Sequence, residues 1–192
     1  MQKVINSLLL LLMAFFLHAC QDDAPPGDLF PVYLPGNTEN GEMSAIKSLT
    51  DWRASAQAAF LNDYPGYMDV SASTFTEEEY LRESLGFIWL PIRTGTFAIL
   101  AYDQADSLQY QSVRGYYITS TADGDASEDS YQVDTTATDN FITLTRVDTL
   151  AKEVEGYFTC SFEIATFGGK RNPLNPDRLK FSYGRFKVKI TN

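Results

Sequence analysis

Apolar and polar residues alternate with a period of two along most of this chain. Met68, Val70, Ala72 and Thr74 interleave with Asp69, Ser71 and Ser73. That is the pattern of a strand with one face in a core and the other toward water. Leu85, Phe87 and Trp89 alternate in the next run, which Pro91 ends. Thr94-Gly95-Thr96 then turns into Phe97-Ala98-Ile99-Leu100. Short strands are predicted at 116–119 and 131–133, around an acidic loop. Residues 141–147 are rich in the β-branched and aromatic types that strands favour. Residues 148–152 read as a hairpin turn, and 157–164 return with Phe158, Cys160, Phe162 and Ile164 on one face. In the last run, Leu179, Phe181 and Tyr183 share one parity while Phe186, Val188 and Ile190 share the other. Gly184 sits at the switch, which predicts a β-bulge there, with Arg185, Lys187 and Lys189 on the solvent face. Residues 77–82 read as a helical turn capped by Thr76. Residues 50–61 alternate cleanly through Trp52, Ala54, Ala56, Ala58 and Phe60, although alanines favour helix. Together these runs predict an all-β fold with little helix: an antiparallel β-sandwich or flattened barrel of about 8–10 strands. Phe158, Cys160, Phe162, Phe186 and Val188 are the expected core.

The first residues follow a different rule. Lys3 precedes an apolar run at 8–17, and Ala19 precedes Cys20. A basic start, a short hydrophobic stretch and a small residue before the cut define a secretory signal. The run falls short of the roughly 20 apolar residues that a membrane-spanning helix needs. Leu17-His18-Ala19-Cys20 resembles the lipobox of bacterial lipoproteins. The resemblance implies cleavage after residue 19 and lipidation of Cys20, whose acyl chains would anchor the chain firmly in a membrane. Gln21-Asp22-Asp23 resembles the surface-export signal of Bacteroidota lipoproteins. Pro25, Pro26, Gly27, Pro31, Pro35, Gly36 and Gly41 then suit a semi-extended tether. The expected organisation is a signal peptide at 1–19, an acylated tether at 20–42 and one β-rich domain at 43–192. The expected location is the outer membrane, lipid-anchored, on its periplasmic or surface-exposed face.

The order of the pieces within 43–192 resembles a Bacteroidota lipoprotein family with a β-rich domain of unknown function. The resemblance is carried by Trp52-Arg53-Ala54, the turn Thr94-Gly95-Thr96-Phe97, and the strand ending Ile142-Thr143-Leu144-Thr145-Arg146-Val147-Asp148. Gly156-Tyr157-Phe158 and the closing Gly184-Arg185-Phe186-Lys187-Val188 complete it. It implies that residues 50–61 form a strand entered from a turn at 49–51, and it brings no catalytic residues.

Charge and chemistry narrow the function further. The net charge of −10 becomes −11 when Lys3 leaves with the signal, which disfavours nucleic acid as a partner. Acids dominate 123–139 and bases dominate 170–190, so the two segments can steer partners or complement each other. The one His, His18, lies in the signal, and with Cys20 lipidated Cys160 stands alone. This removes His-dependent nucleophile systems, His-ligated zinc and Cys-rich metal sites. Cys160 reads as a small core hydrophobe. Ser44-Ala45-Ile46-Lys47 spells Ser-x-x-Lys, but its Ser-Asp-Asn and Lys-Thr-Gly partners do not occur in the sequence. Asp123, Asp125 and Asp129 are the calcium candidates, within a segment read as an exposed acidic hairpin loop. Tyr110, Tyr116, Tyr117 and Tyr131 suggest either an aromatic platform or cross-strand packing, and packing is the preferred reading. No catalytic residue, metal ligand or cofactor is assigned. The expected function is that of a membrane-anchored lipoprotein whose non-catalytic domain serves binding or envelope assembly. Its partner would be another envelope protein or a glycan. The alternative is a glycan-binding or carboxylate-dependent hydrolase accessory domain.

Overall fold

The computed structural model describes residues 33–101, 112–166, 168 and 170–191. They belong to a compact unit spanning Val32–Asn192. Ten strands follow one another: β1 (Gly41–Lys47), β2 (Thr50–Phe60), β3 (Tyr67–Phe75), β4 (Leu81–Pro91), β5 (Gly95–Leu100), β6 (Val113–Ser120), β7 (Ser127–Val133), β8 (Phe141–Asp148), β9 (Glu153–Ile164) and β10 (Arg178–Thr191). No helix occurs among the described residues.

All ten strands join one sheet, and its pairings close into a ring. β1 to β4 pair in sequence order, β4 pairs with β6, β6 with β7, β7 with β9, β9 with β10, and β10 with β1. The closure is split rather than regular. One edge of β9 is shared between β8 and β7, and one edge of β6 between β5 and β7. The β5–β8 pair fills the gap beside the short β7. The two parallel contacts, β10 with β2 and β5 with β6, involve two residue pairs each; every other named pairing is antiparallel. A closed ladder leaves little free strand edge for pairing with other chains.

The ring encloses the core. The inward positions of β3 are Met68, Val70, Ala72 and Thr74, as the alternation predicts. Phe158, Cys160, Phe162, Phe186 and Val188 are all buried. Residues 50–60 are a strand, with Trp52, Ala54, Ala56 and Ala58 inward. The alanines' helix propensity is a small preference, and tertiary pairing overrides it.

Four local readings are corrected. Residues 76–80 form a hairpin loop, not a helical turn: Thr76 Oγ1 accepts the Glu78 and Tyr80 amides, and Glu79 takes a positive φ of 68°. The β1–β2 turn is Ser48-Leu49, one residue earlier than expected, with φ of 46° and 82°. Both central residues of a type I′ turn need such angles. In β4 an extra residue bulges out opposite β3, so Trp89 leaves the Leu85–Phe87 phase and Leu90 takes the core position. In β10 the extra residue lies at Ser182-Tyr183, where β9 and β1 both shift register. Gly184 already belongs to the second phase, and Tyr183 points outward at 82% exposure.

Residues 33–36, at the end of the stretch read as tether, are bonded to the sheet. Leu34 exchanges backbone hydrogen bonds with Phe75, and Pro35 O accepts the Ser55 amide. Arg82 lies over the Tyr33 ring, 5.1 Å from its centroid.

Candidate functional site

Three polar arrangements and one outer groove stand out. The first lies inside the ring. Lys47, Trp52, Thr74, Glu83 and Tyr117 occupy inward positions on β1, β2, β3, β4 and β6, and all are buried. Glu83 Oε1 accepts hydrogen bonds from Lys47 Nζ and from the Tyr117 hydroxyl at 2.7 Å. Its Oε2 accepts from Trp52 Nε1 at 2.6 Å and Thr74 Oγ1 at 3.0 Å. A buried carboxylate is tolerable when paired and hydrogen-bonded in this way. Burial and the neighbouring Glu83 carboxylate push the Tyr117 hydroxyl well above the ordinary tyrosine range. Tyr117 therefore acts as a donor and not as a base. The arrangement ties five strands together and leaves Glu83 with no outward-facing group. Ser44 and Lys47 stand three apart on a strand and thus on opposite faces, so the Ser-x-x-Lys spelling assembles no nucleophile pair.

The second arrangement is a latch. Asp129 is buried; its Oδ1 accepts the amides of Arg171 and Asn172, and its Oδ2 accepts Asn175 Nδ2 at 2.7 Å. The Tyr131 hydroxyl donates to Pro176 O. These bonds hold the β9–β10 loop onto the β6–β7 hairpin. The calcium candidates are thereby separated in role. Asp123 Oδ1 accepts from the Thr121 hydroxyl and the Asp125 amide, which holds its carboxyl below the usual range in an exposed turn. Asp125 is exposed, while Asp129 is engaged inside. Among the described residues no group of three or more His, Cys, Asp or Glu is placed to hold a metal ion.

The third surrounds the β4 bulge. The Trp89 amide donates to Asp69 Oδ1 at 3.1 Å. Partial burial raises the Asp69 carboxyl despite that bond. The Tyr116 hydroxyl is raised by burial and by the Asp69 charge.

Among the described residues, Tyr116, Tyr117 and Tyr131 form no exposed platform. Tyr117 and Tyr131 are direct cross-strand partners, with ring centroids 5.3 Å apart, and both are buried. Tyr116 lies flat over Gly86. Tyr110 lies outside the described residues, as does Cys20. Burial pushes the Cys160 thiol well above its ordinary range, so it is a protonated core side chain.

Two exposed tyrosines, Tyr157 and Tyr183, lie together elsewhere. A groove of about 700 Å³ runs over the outer face of β8, β9 and β10, within the range of small-ligand sites. Tyr157, Tyr183 and Phe141 line it, with Phe141 edge-on to Tyr157 at 6.2 Å. Asp139 and Lys180 pair across it at 2.6 Å, and Glu155 pairs with Lys187 at 3.0 Å. Those bonds and the nearby cations hold the Glu155 carboxyl below its usual range. Arg185, the cross-strand partner of Tyr157, is exposed beside it. Its local sequence signals were Gly156-Tyr157 and the β10 phase switch, but alternation alone cannot say which outward aromatic meets which.

No family model, no curated protein and no solved structure matches the chain.

Proposed function

We propose that this chain is a lipid-anchored, non-catalytic binding module of the bacterial envelope, working through the outer face of β8, β9 and β10. One observation carries the reading. In a closed sheet whose interior is filled by side chains, a groove lined by exposed Tyr157 and Tyr183 opens outward. Clustered exposed aromatics on a rigid sheet suit recognition. The two carboxylates drawn inside, Glu83 and Asp129, are each engaged by several donors, which suits a scaffold rather than acid–base work. The anchor reading is supported by Lys3, the apolar run and Leu17-His18-Ala19-Cys20, and the outer-membrane location, on the periplasmic or surface side, by the resemblance of Gln21-Asp22-Asp23 to an export signal.

Labelled palmitate should enter the wild-type chain and not the Cys20→Ala variant, with the variant lost from the membrane fraction. Equal incorporation would overturn the anchor. Reproducible hydrolysis of an envelope substrate, abolished by replacing a single Asp or Glu, would overturn the non-catalytic reading in favour of a hydrolase accessory domain.

A further inference from the structure

We propose that the groove on β8, β9 and β10 is a binding site for a neutral oligosaccharide, which stacks on Tyr157 and Tyr183. The proposal rests on the binding-module reading and names its ligand class.

Three features lead to this chemistry. First, the aromatics are presented from fixed positions. Tyr183 is the extra residue of the β10 bulge, held at a φ of 55° and thrust outward by a register shift against both neighbouring strands. Tyr157 lies in the middle of β9, between β8 and β10. Sheet pairing fixes the backbone from which both rings project, so only two side-chain torsions per tyrosine are lost when a flat apolar face settles on them, and the C–H face of a pyranose is such a surface.

Second, the polar rim carries balanced charge. Asp139, Glu155, Lys180 and Arg185 line the groove, two acids and two bases. This neutral patch sits in a chain of net charge −10. A polyanion would meet the overall negative field without a local surplus of cations to offset it. Neighbouring carboxylates and cations instead offer acceptors and donors side by side, and Thr145, Thr159 and Ser182 add hydroxyls that can do both. Vicinal sugar hydroxyls need that mixture.

Third, the backbone there is already used. β9 is paired on both edges around the groove, β10 lies between β9 and β1, and β8 between β9 and β5. An extended peptide gains much of its affinity by adding a strand to a free edge. Along β9 and β10 this face offers no such edge, and β8 keeps β5 beside it as far as Leu144, so recognition in the middle of the groove falls to rings and polar side chains.

The test uses the full-length lipidated protein in detergent, titrated calorimetrically with cellohexaose, mannohexaose, xylohexaose, hexagalacturonate and an unstructured peptide pool. At least one neutral oligosaccharide should bind. Tyr183→Ala and Tyr157→Ala should each weaken it by about tenfold, the scale of one good aromatic contact. Tyr80→Ala, an exposed tyrosine of the β3–β4 loop, should leave the affinity unchanged. If either groove variant melts early, Arg185→Gln, at an exposed position, replaces it and should also weaken binding. Binding of hexagalacturonate or peptide alone, binding of none of the probes, or affinity unchanged in the groove variants would each overturn the proposal. None of these results bears on palmitate incorporation, so the anchored-module reading stands or falls separately.

Discussion

Glu83 shows how a single residue governs the interior. It shares its phase with Leu85 and Phe87, and Lys47 shares that of Met43 and Ala45. Two charges in apolar registers were thus visible in the sequence. Their meeting was not, because β1 and β4 come together only through the closed ring. Removing one partner strands the other charge in the core. Glu83→Ala should therefore cost about 3–5 kcal/mol of stability, measured by urea unfolding. The double variant Lys47→Met/Glu83→Leu should recover most of that loss, and strictly additive losses would show that the pair is uncoupled. Asp69 makes the opposite prediction about pH. Its carboxyl is raised by burial. Well below the unfolded value of about 3.9 it is neutral in both states and costs nothing. As pH climbs through the raised folded value, the native state must ionise a half-buried group, and stability falls. Asp69→Asn can still accept the Trp89 amide. Thermal melts should show the Asn variant gaining on wild type between about pH 4 and neutrality, and a difference flat with pH would contradict this.

At the scale of the element, glycines and aromatics face each other across the strands. Gly86 lies opposite Tyr116, Gly156 opposite Phe186, and Gly184 opposite Phe158. In each case an added Cβ would come within 2.3–2.6 Å of the opposing ring. A ring lying over a bare backbone lets two strands twist tightly, as sheet closure requires. Gly156 is the least forgiving, since the carbonyl of Thr143 also crowds it. Gly156→Ala should destabilise by about 1–3 kcal/mol, the usual cost of overpacking, measured by the shift in urea midpoint; a neutral result would mean that β8 and β9 part easily. Strand existence and facing were legible where a period of two runs unbroken, as in β2 and β3, whereas β1 at Gly41–Lys47 was not read as a strand. The bulges were legible only in part. The β10 phase switch is written in its apolar residues, whereas β4 hides its bulge behind Trp89, an apolar residue that happens to keep the parity. Turns were read least well, since Ser48-Leu49 adopts angles that its residue types do not advertise.

For the whole molecule, charge segregation along the chain resolves into contact. Lys180 pairs with Asp139, Arg178 with Asp134 at 3.8 Å, and the Arg171 amide reaches Asp129. The acidic stretch at 123–139 and the basic stretch at 170–190 meet each other, so much of the apparent asymmetry is used internally. The Asp139–Lys180 pair lies on the outer groove, whose lining carries two acids and two bases. Fold class was readable from alternation, but the groove was not, because register shifts between β8 and β9 and between β9 and β10 decide which outward side chains of these consecutive strands meet. We propose that the anchored module meets its partner on the groove face. Photo-crosslinking in intact cells tests it most directly, with a photoreactive residue placed at Tyr157, Tyr183, Leu49 or Leu150. Leu49 and Leu150 are hairpin-tip residues, 98% and 97% exposed, and serve as controls more accessible than the groove itself. Adducts with an envelope component are expected from positions 157 and 183 and none from 49 or 150. Adducts from the hairpin tips with none from the groove would contradict it.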